Sequence, residues 1–447
     1  MSNRSYYLDE VCREVRFRAA RRYVKQELSA HIDDRKAQLE ANGTADAESE
    51  AVRAMGDPVE TGQALNAIHR PRVEWGVIAC VLALTVAGVT ALFAGTTFST
   101  HEENRVMLFW SNLSWQSMVY CLAVMAGLMF VDYSWIKKLR HASFGLGLAY
   151  IAVYIGMYLV FELDFVMYEL GWLGQTAVTV VPCLLFLTGM AGVLQHRSRW
   201  GLWETALVLA MCAVSVLAVG VLSRVYALLL SAIYLAMAAI ALSRSPLNRL
   251  SQLWRFAAIL GVLAAAVIIG KSMQPYYLSF GDNWGDAHEV KSMLANAQFV
   301  GSSPVYQRSG TWGLSASTTG YILTAAIGAY GWLFGIGVIA LFAALLTLMV
   351  IRSLRTPHFL GRLLSFGICA YFGARFVLFV LANLGLIDGI SVTLPFISYG
   401  LFNLLTDCAL VGVFLSVWRR SSFMPRDAAP AAAASPVNGV SPAPPIQ

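Results

Sequence analysis

The chain has 447 residues, 57% of them hydrophobic and 13% charged, about half of the roughly 25% charged fraction usual in soluble domains. Its net charge of +6, from 32 Lys and Arg against 26 Asp and Glu, is too slight to define a nucleic-acid surface. Seven cysteines, at 12, 80, 121, 183, 212, 369 and 408, form no CxxC pair, so neither a disulfide framework nor a metal site is expected.

Residues 1–72 read as a small cytoplasmic helical unit. Leu8, Val11, Val15, Ala19, Val24, Leu28, His31 and Leu39 recur at helical spacing until Asn42-Gly43 supplies a stop, which predicts one helix of about thirty residues. A second start follows, with Asp57 as N-cap, Pro58 at the first helical position and Glu60 as capping-box partner. Twelve Lys and Arg are balanced by twelve Asp and Glu in this unit, again unlike a nucleic-acid arm. The opening residues are polar and basic without an early apolar core, the pattern expected of a chain with no cleavable signal peptide.

Ten apolar runs follow, at about 75–95, 113–131, 142–161, 174–194, 202–221, 225–242, 253–270, 321–351, 363–386 and 399–418, each near the roughly 20 residues a spanning helix needs. Ten spans with an inside N-terminus put fourteen Lys and Arg in the inside loops and tail, Lys137, Lys138 and Arg140 first among them. Only Arg105, Arg224, Lys271, Lys291 and Arg308 fall outside, the expected positive-inside bias. The expected fold is therefore all-α: ten transmembrane helices over 73–420, both termini cytoplasmic. A large outer loop spans 271–319, a length more often functional than decorative. The Ala/Pro/Ser-rich tail, 421–447, is expected to be disordered.

Three groups of residues could carry chemistry. The outer loop holds Asp282, Asp286, His288 and Glu289 beside Tyr276, Tyr277 and Trp284. These form either a site at the membrane surface, with general bases or a bound cation and sugar-stacking rings, or a solvated loop with interfacial aromatics. The acid spacing matches no metal-ligand pattern. Arg375 and Asp407 lie in late spans, where isolated charge costs a few kcal/mol. They are expected to pair across helices nine and ten, as architecture or as part of a substrate path, with Asn383 on the same face as Arg375 able to add a hydrogen bond. Last, "TLPFISYG" (393–400) reads as an outer turn: Pro395 disfavours helix at Leu394, Gly400 permits close backbone approach and Tyr399 suits the interface.

The motif also carries a resemblance. "LPFISYG", before the last of ten spans and preceded by "LANLGLIDG", closely resembles the terminal motif of the SEDS family, the FtsW/RodA/SpoVE proteins of bacterial division, elongation and sporulation. The loop stretch "SMLANAQFVGSS" resembles the family's small helix before a glycine turn. Residues 26–72 resemble the helical prefix found before some permease-like membrane domains.

The resemblance implies a protein of the bacterial plasma membrane that polymerises lipid II, or a related undecaprenyl-linked precursor, at its outer face. A class B penicillin-binding protein, or another divisome or elongasome component, is the implied partner. It also implies an Asp as general base at the end of the outer loop, with a divalent cation able to assist the departing pyrophosphate. The implied substrate-binding residues are Arg375, Asn383, Ser398, Tyr399 and Asp407.

At the base position the family pattern fails. "GYILTAAIGAYG" matches its length from Gly320 to Gly331, which places Gly320 where the Asp stands and Gly328 and Ala329 where an acidic pair stands. A family Gln-Pro-Ser-Glu motif is absent, and Leu401 replaces a glycine. Loss of a positioned base typically costs about 100- to 10,000-fold in rate. A degenerate or regulatory member is therefore expected. The alternatives are a divergent polymerase using Asp286 or Glu289 as base, and a transporter of a lipid-linked precursor.

Overall fold

The computed structural model describes residues 3–44, 46–68, 73–96, 115–169, 175–195, 200–245, 247–273, 287–309, 319–387, 390, 392–398 and 401–421. Regular structure among the described residues is helical throughout. The chain opens with α1 (Asn3–Glu14), α2 (Arg18–Ala41), α3 (Ala47–Arg53) and α4 (Pro58–Ile68).

The single long N-terminal helix expected from spacing is thus two helices, broken at 15–17. A lone rod would leave its apolar stripe in water; folding α1 back on α2 buries Val11, Val15, Ala20 and Val24 in one cluster. The corner is held by Arg21 Nε donating to the Val15 carbonyl at 2.8 Å and by the Arg16 N–H donating to Asn66 Oδ1 at 3.1 Å. Ile32, not His31, carries the buried stripe onward. Asn42-Gly43 does stop α2, with Gly43 at φ 79°, and Asp57 does cap α4, accepting the Glu60 N–H at 2.9 Å. The short α3, which periodicity missed, is capped by Asp46 through the Ser49 N–H at 3.4 Å.

The apolar part comprises α5 (Trp75–Thr96), α6 (Trp115–Phe130), α7 (Ile136–Glu169), α8 (Gln175–Gln195), α9 (Leu202–Leu222), α10 (Arg224–Ser243), α11 (Arg249–Met273), α12 (Ala287–Ala295), α13 (Pro304–Ser309), α14 (Ile322–Tyr330), α15 (Trp332–Leu354), α16 (Phe359–Asn383) and α17 (Leu401–Arg420). Among the described residues six helices, α5, α9, α10, α11, α15 and α16, are long and apolar enough to cross a membrane, and α6 and α8 add shorter apolar stretches. Among the described residues the apolar runs lie mainly on helix. One of them divides: 321–351 is α14 and α15, with Gly331 between them at φ 94° and ψ 172°.

The division has a steric cause. The segment 298–303 crosses the junction, and a Cβ at Gly331 would stand 2.7 Å from the Phe299 carbonyl oxygen. The segment donates from Gly301 N to the Tyr330 carbonyl at 3.1 Å and from Ser303 N to the Gly328 carbonyl at 2.8 Å. In return Trp332 N and Leu333 N donate to the carbonyls of Gln298 and Phe299, each at 3.0 Å. The orphaned groups at two helix ends are thereby satisfied by a loop.

The helices pack as neighbours α7 with α8, α6 with α17, α9 with α11, and α10 with α16, while α5 lies along both α14 and α15. At one end of this assembly arginines tie the elements together. Arg352 donates to Glu74 at 3.0 Å and stacks over Trp418. Arg420 donates to the carbonyls of Phe130 and Val131. Arg419 lies over the Phe130 ring and over Phe17, at the α1–α2 corner.

Candidate functional site

Three chain segments meet at the start of α14: the turn at Thr319–Tyr321, the end of α16 and the segment 392–398. Asn383, the last residue of α16, is fully buried. Its Nδ2 donates to the Gly320 carbonyl at 2.8 Å and to the Phe379 carbonyl at 3.0 Å, and its Oδ1 accepts the Thr324 N–H at 3.0 Å. Thr324 Oγ1 bridges the Asn383 carbonyl at 2.9 Å and Asn383 Oδ1 at 3.1 Å. A carboxamide offers two donors and an oxygen with two lone pairs. All are engaged inside the protein, so Asn383 caps α14 from another helix.

Ser398 closes the same place from the other side. Its Oγ donates to the Thr319 carbonyl at 2.8 Å and accepts the Leu394 N–H at 2.7 Å. The peptide carbonyls of both Thr319 and Gly320 are therefore pinned by side chains that "LANLG" and "TLPFISYG" supply.

Between them, Arg375 holds the segment from below. Its Nη1 donates to Asp407 Oδ1 at 2.6 Å and to the Tyr371 hydroxyl at 2.9 Å. Its Nε donates to the Thr393 carbonyl at 3.1 Å and its Nη2 to Thr393 Oγ1 at 2.5 Å. Arg375 and Asp407 are each 1% exposed. The expected pair between these helices is present. The expected bond from Asn383 to that pair is not, because the amide is turned toward Thr324 and Gly320. Four of the five guanidinium N–H groups are used inside the protein, which is an arrangement for holding a backbone in place.

The turn itself is strained. Phe396, after Pro395, sits at φ 68°, a region that costs a non-glycine residue about 1–3 kcal/mol. It is pressed against α5, where a Cβ at Gly88 would lie 2.7 Å from the Phe396 carbonyl oxygen. A close backbone approach to this turn is made by Gly88. Gly400, Tyr399 and Asp286 lie outside the described residues.

Glu289 lies in the first turn of α12, and α12 packs on α14. Its neighbour Val290 clusters with Tyr321, Ala325 and Ala382 around the start of α14. Glu289 Oε2 is buried without a hydrogen-bond partner among the described residues. The Gly328 position is closely packed: a side chain there would meet Met293 Sδ at 2.8 Å and Tyr306 at 3.5 Å. Apolar packing fills that space. Among the described residues no three His, Cys, Asp or Glu stand together as a metal site.

Periodicity and motif reading missed Thr324, Thr393, Tyr371 and Gly88 as members of this network. A lone Thr inside the apolar run "YILTAAIG" was a usable signal for the first. Nothing in the sequence marks Gly88, whose role depends on which helix the turn meets.

This architecture has known counterparts. Rod shape determining protein RodA of Thermus thermophilus matches with a TM-score of 0.52 over 78% of this chain and 97% of that one, at 18% identity. A chain from a peptidoglycan synthase complex, described as coordinating polymerization and crosslinking, matches with a TM-score of 0.57 over 78% and 98%, at 20% identity. The fold defines a polytopic α-helical membrane protein of the RodA type. In sequence, the chain is 27% identical over 185 residues to the probable peptidoglycan glycosyltransferase FtsW of Coxiella burnetii, covering 37% of this chain and 48% of that protein. It is 27% identical over 204 residues to the FtsW of Thioalkalivibrio sulfidiphilus, covering 38% and 46%. The chain spans about half the length of these curated relatives. No protein-family model matches it. In motif, in fold and over part of its sequence the chain is thus similar to FtsW and RodA proteins.

Proposed function

We propose that this protein serves bacterial peptidoglycan synthesis, in division, shape or sporulation, as a degenerate or regulatory SEDS member. In this reading it binds lipid II or a related undecaprenyl-linked precursor without polymerising it, and engages a class B penicillin-binding protein or another component of the division or elongation machinery. It lies in the plasma membrane with both termini cytoplasmic, and residues 1–72 act as a docking unit on the inner face.

One observation carries the reading: at the family's base position stands Gly320, which has no side chain, and its carbonyl is held by Asn383 at 2.8 Å. Glycan polymerisation requires an acceptor hydroxyl to lose its proton as it attacks the anomeric carbon, and a backbone carbonyl already accepting a hydrogen bond is no base at neutral pH. At Gly328, the first of the acidic-pair positions, an added side chain would meet Met293 and Tyr306. Arg375, Asn383, Asp407 and Ser398 then shape the wall of a lipid-facing groove by fixing its backbone.

A second reading, a divergent polymerase, is favoured by Glu289 Oε2, buried without a hydrogen-bond partner among the described residues, on a helix that packs on α14. The deciding experiment incubates purified protein, alone and with a class B penicillin-binding protein, with lipid II and a divalent cation, and resolves glycan strands on a gel. No strands, with retained binding of labelled lipid II, is the expected result. Robust polymerisation by the isolated protein overturns the degenerate reading, and its loss in Glu289→Gln would then assign the base.

A further inference from the structure

We propose that the Phe299-Val300 tip, between α12 and α13, is a membrane anchor seated in the lipid boundary beside the first turn of α15. Phe299 and Val300 are 65% and 61% exposed, and Leu333 and Ile336 on α15 are 54% and 51% exposed. Two adjacent large apolar side chains in a polar loop are unremarkable when the loop can fold over them. Here it cannot. The backbone on either side is bonded to the α14–α15 junction through Gln298, Phe299, Gly301 and Ser303, and it runs so close to Gly331 that a Cβ there would stand 2.7 Å from the Phe299 carbonyl oxygen.

The occupant follows from what the tip adjoins. Leu333 N donates to the Phe299 carbonyl at 3.0 Å, so the tip is one hydrogen bond from the start of α15. From Leu333 an apolar stripe continues through Ile336 to Ile351 and Leu354, all exposed, on a helix long and apolar enough to span a membrane. That stripe faces hydrocarbon, and the tip prolongs it beyond the helix end, flanked by Trp332, the residue type that favours the interface. An aromatic and a β-branched residue held there gain by leaving water for the acyl boundary. The bonds across the junction would transmit that anchorage to α14 and so to the Gly320 turn. The inference stands whichever way the polymerisation assay falls.

The test places a nitroxide at Phe299→Cys, and separately at Val300→Cys, in the full chain carrying Cys12→Ser and Cys80→Ser. The other five cysteines are buried. Protein is reconstituted in nanodiscs of phosphatidylethanolamine and phosphatidylglycerol, and relaxation by oxygen is compared with relaxation by a water-soluble nickel chelate. Leu333→Cys is the lipid reference and Gln307→Cys, exposed on α13, the water reference. The expected oxygen-to-nickel ratio at both tip sites matches Leu333 and exceeds Gln307 several-fold. A ratio equal to that of Gln307 overturns the proposal in favour of a solvated loop. Protection from both reagents overturns it in favour of cover by a second copy of the chain. Should Phe299→Cys fold poorly, Val300→Cys alone decides.

Discussion

Replacing Arg375 with Met tests whether the polar cluster under "TLPFISYG" is a clamp. The substitution is close in length and keeps the helix, but leaves Asp407 as an unpaired carboxylate at 1% exposure and removes both donors to Thr393. Breaking one side of a buried pair costs about 3–5 kcal/mol, since the remaining charge stays desolvated. Removing both charges avoids that penalty, so Arg375→Met/Asp407→Leu should recover most of the loss. It retains a deficit of about 1–3 kcal/mol from the Thr393 carbonyl left without a donor. Arg375→Lys should fall near the single Met variant, because an ammonium cannot reach Thr393 and Asp407 in the fork geometry of a guanidinium. The assay is thermal unfolding in detergent, followed by loss of the monodisperse peak, with denaturant midpoints as the second readout. A double variant whose loss equals the sum of the singles would mean that the two residues act independently. A fully stable Arg375→Met would mean that the turn is held by its neighbours alone. Either result refutes the clamp.

Further outcomes follow from the same geometry. Gly331→Ala puts a Cβ 2.7 Å from the Phe299 carbonyl oxygen at φ 94°, a conformation costing non-glycine residues about 1–3 kcal/mol; a lowered melting temperature and faster proteolysis between α12 and α14 are expected. Asn383→Ala orphans the Gly320 carbonyl and the Thr324 N–H, each worth about 1–3 kcal/mol when buried, and should destabilise more than Ser398→Ala, read in the same melts. Gly320→Asp should not confer lipid II polymerisation, because Gly328 and Ala329 supply no carboxylate and Met293 and Tyr306 crowd the Gly328 position; glycan strands on a gel would show otherwise. In the N-terminal unit burial pushes the Cys12 thiol above its usual range. Its maleimide reaction at neutral pH should be slower than that of an unfolded control. A thiol raised on folding stabilises below the unfolded value, and that stability is lost as pH rises through the folded one, so melting curves should fall at alkaline pH less steeply in Cys12→Ser.

The amino-acid sequence by itself determined the class of protein and much of its outline. Apolar runs near spanning length can only be helices in lipid, since each backbone group must find its partner within the segment. This is why, among the described residues, the apolar runs lie mainly on helix and why most ends fall within a few residues of expectation. Local chemistry sufficed likewise for the Asp57 cap, the Asn42-Gly43 stop and the Arg375–Asp407 pair, where two costly charges on late helices had few other partners. The family motif was legible because Pro395 and its neighbours are rare in such a run.

Only the tertiary structure decided what depends on distant segments. The break at Gly331 exists because residues 298–303 cross there, and a glycine in an apolar run does not announce which backbone will approach it. The N-terminal helix bends at 15–17 because its apolar stripe must be covered by its own second half and by α4. Asn383 serves α14, not Arg375: a shared helix face gives proximity along one rod, whereas a carboxamide goes to whichever unsatisfied helix end is packed beside it. The sequence shows a glycine at 320, with no side chain to offer. The fold shows that its carbonyl is already bonded to Asn383, and that Met293 and Tyr306 crowd the Gly328 position.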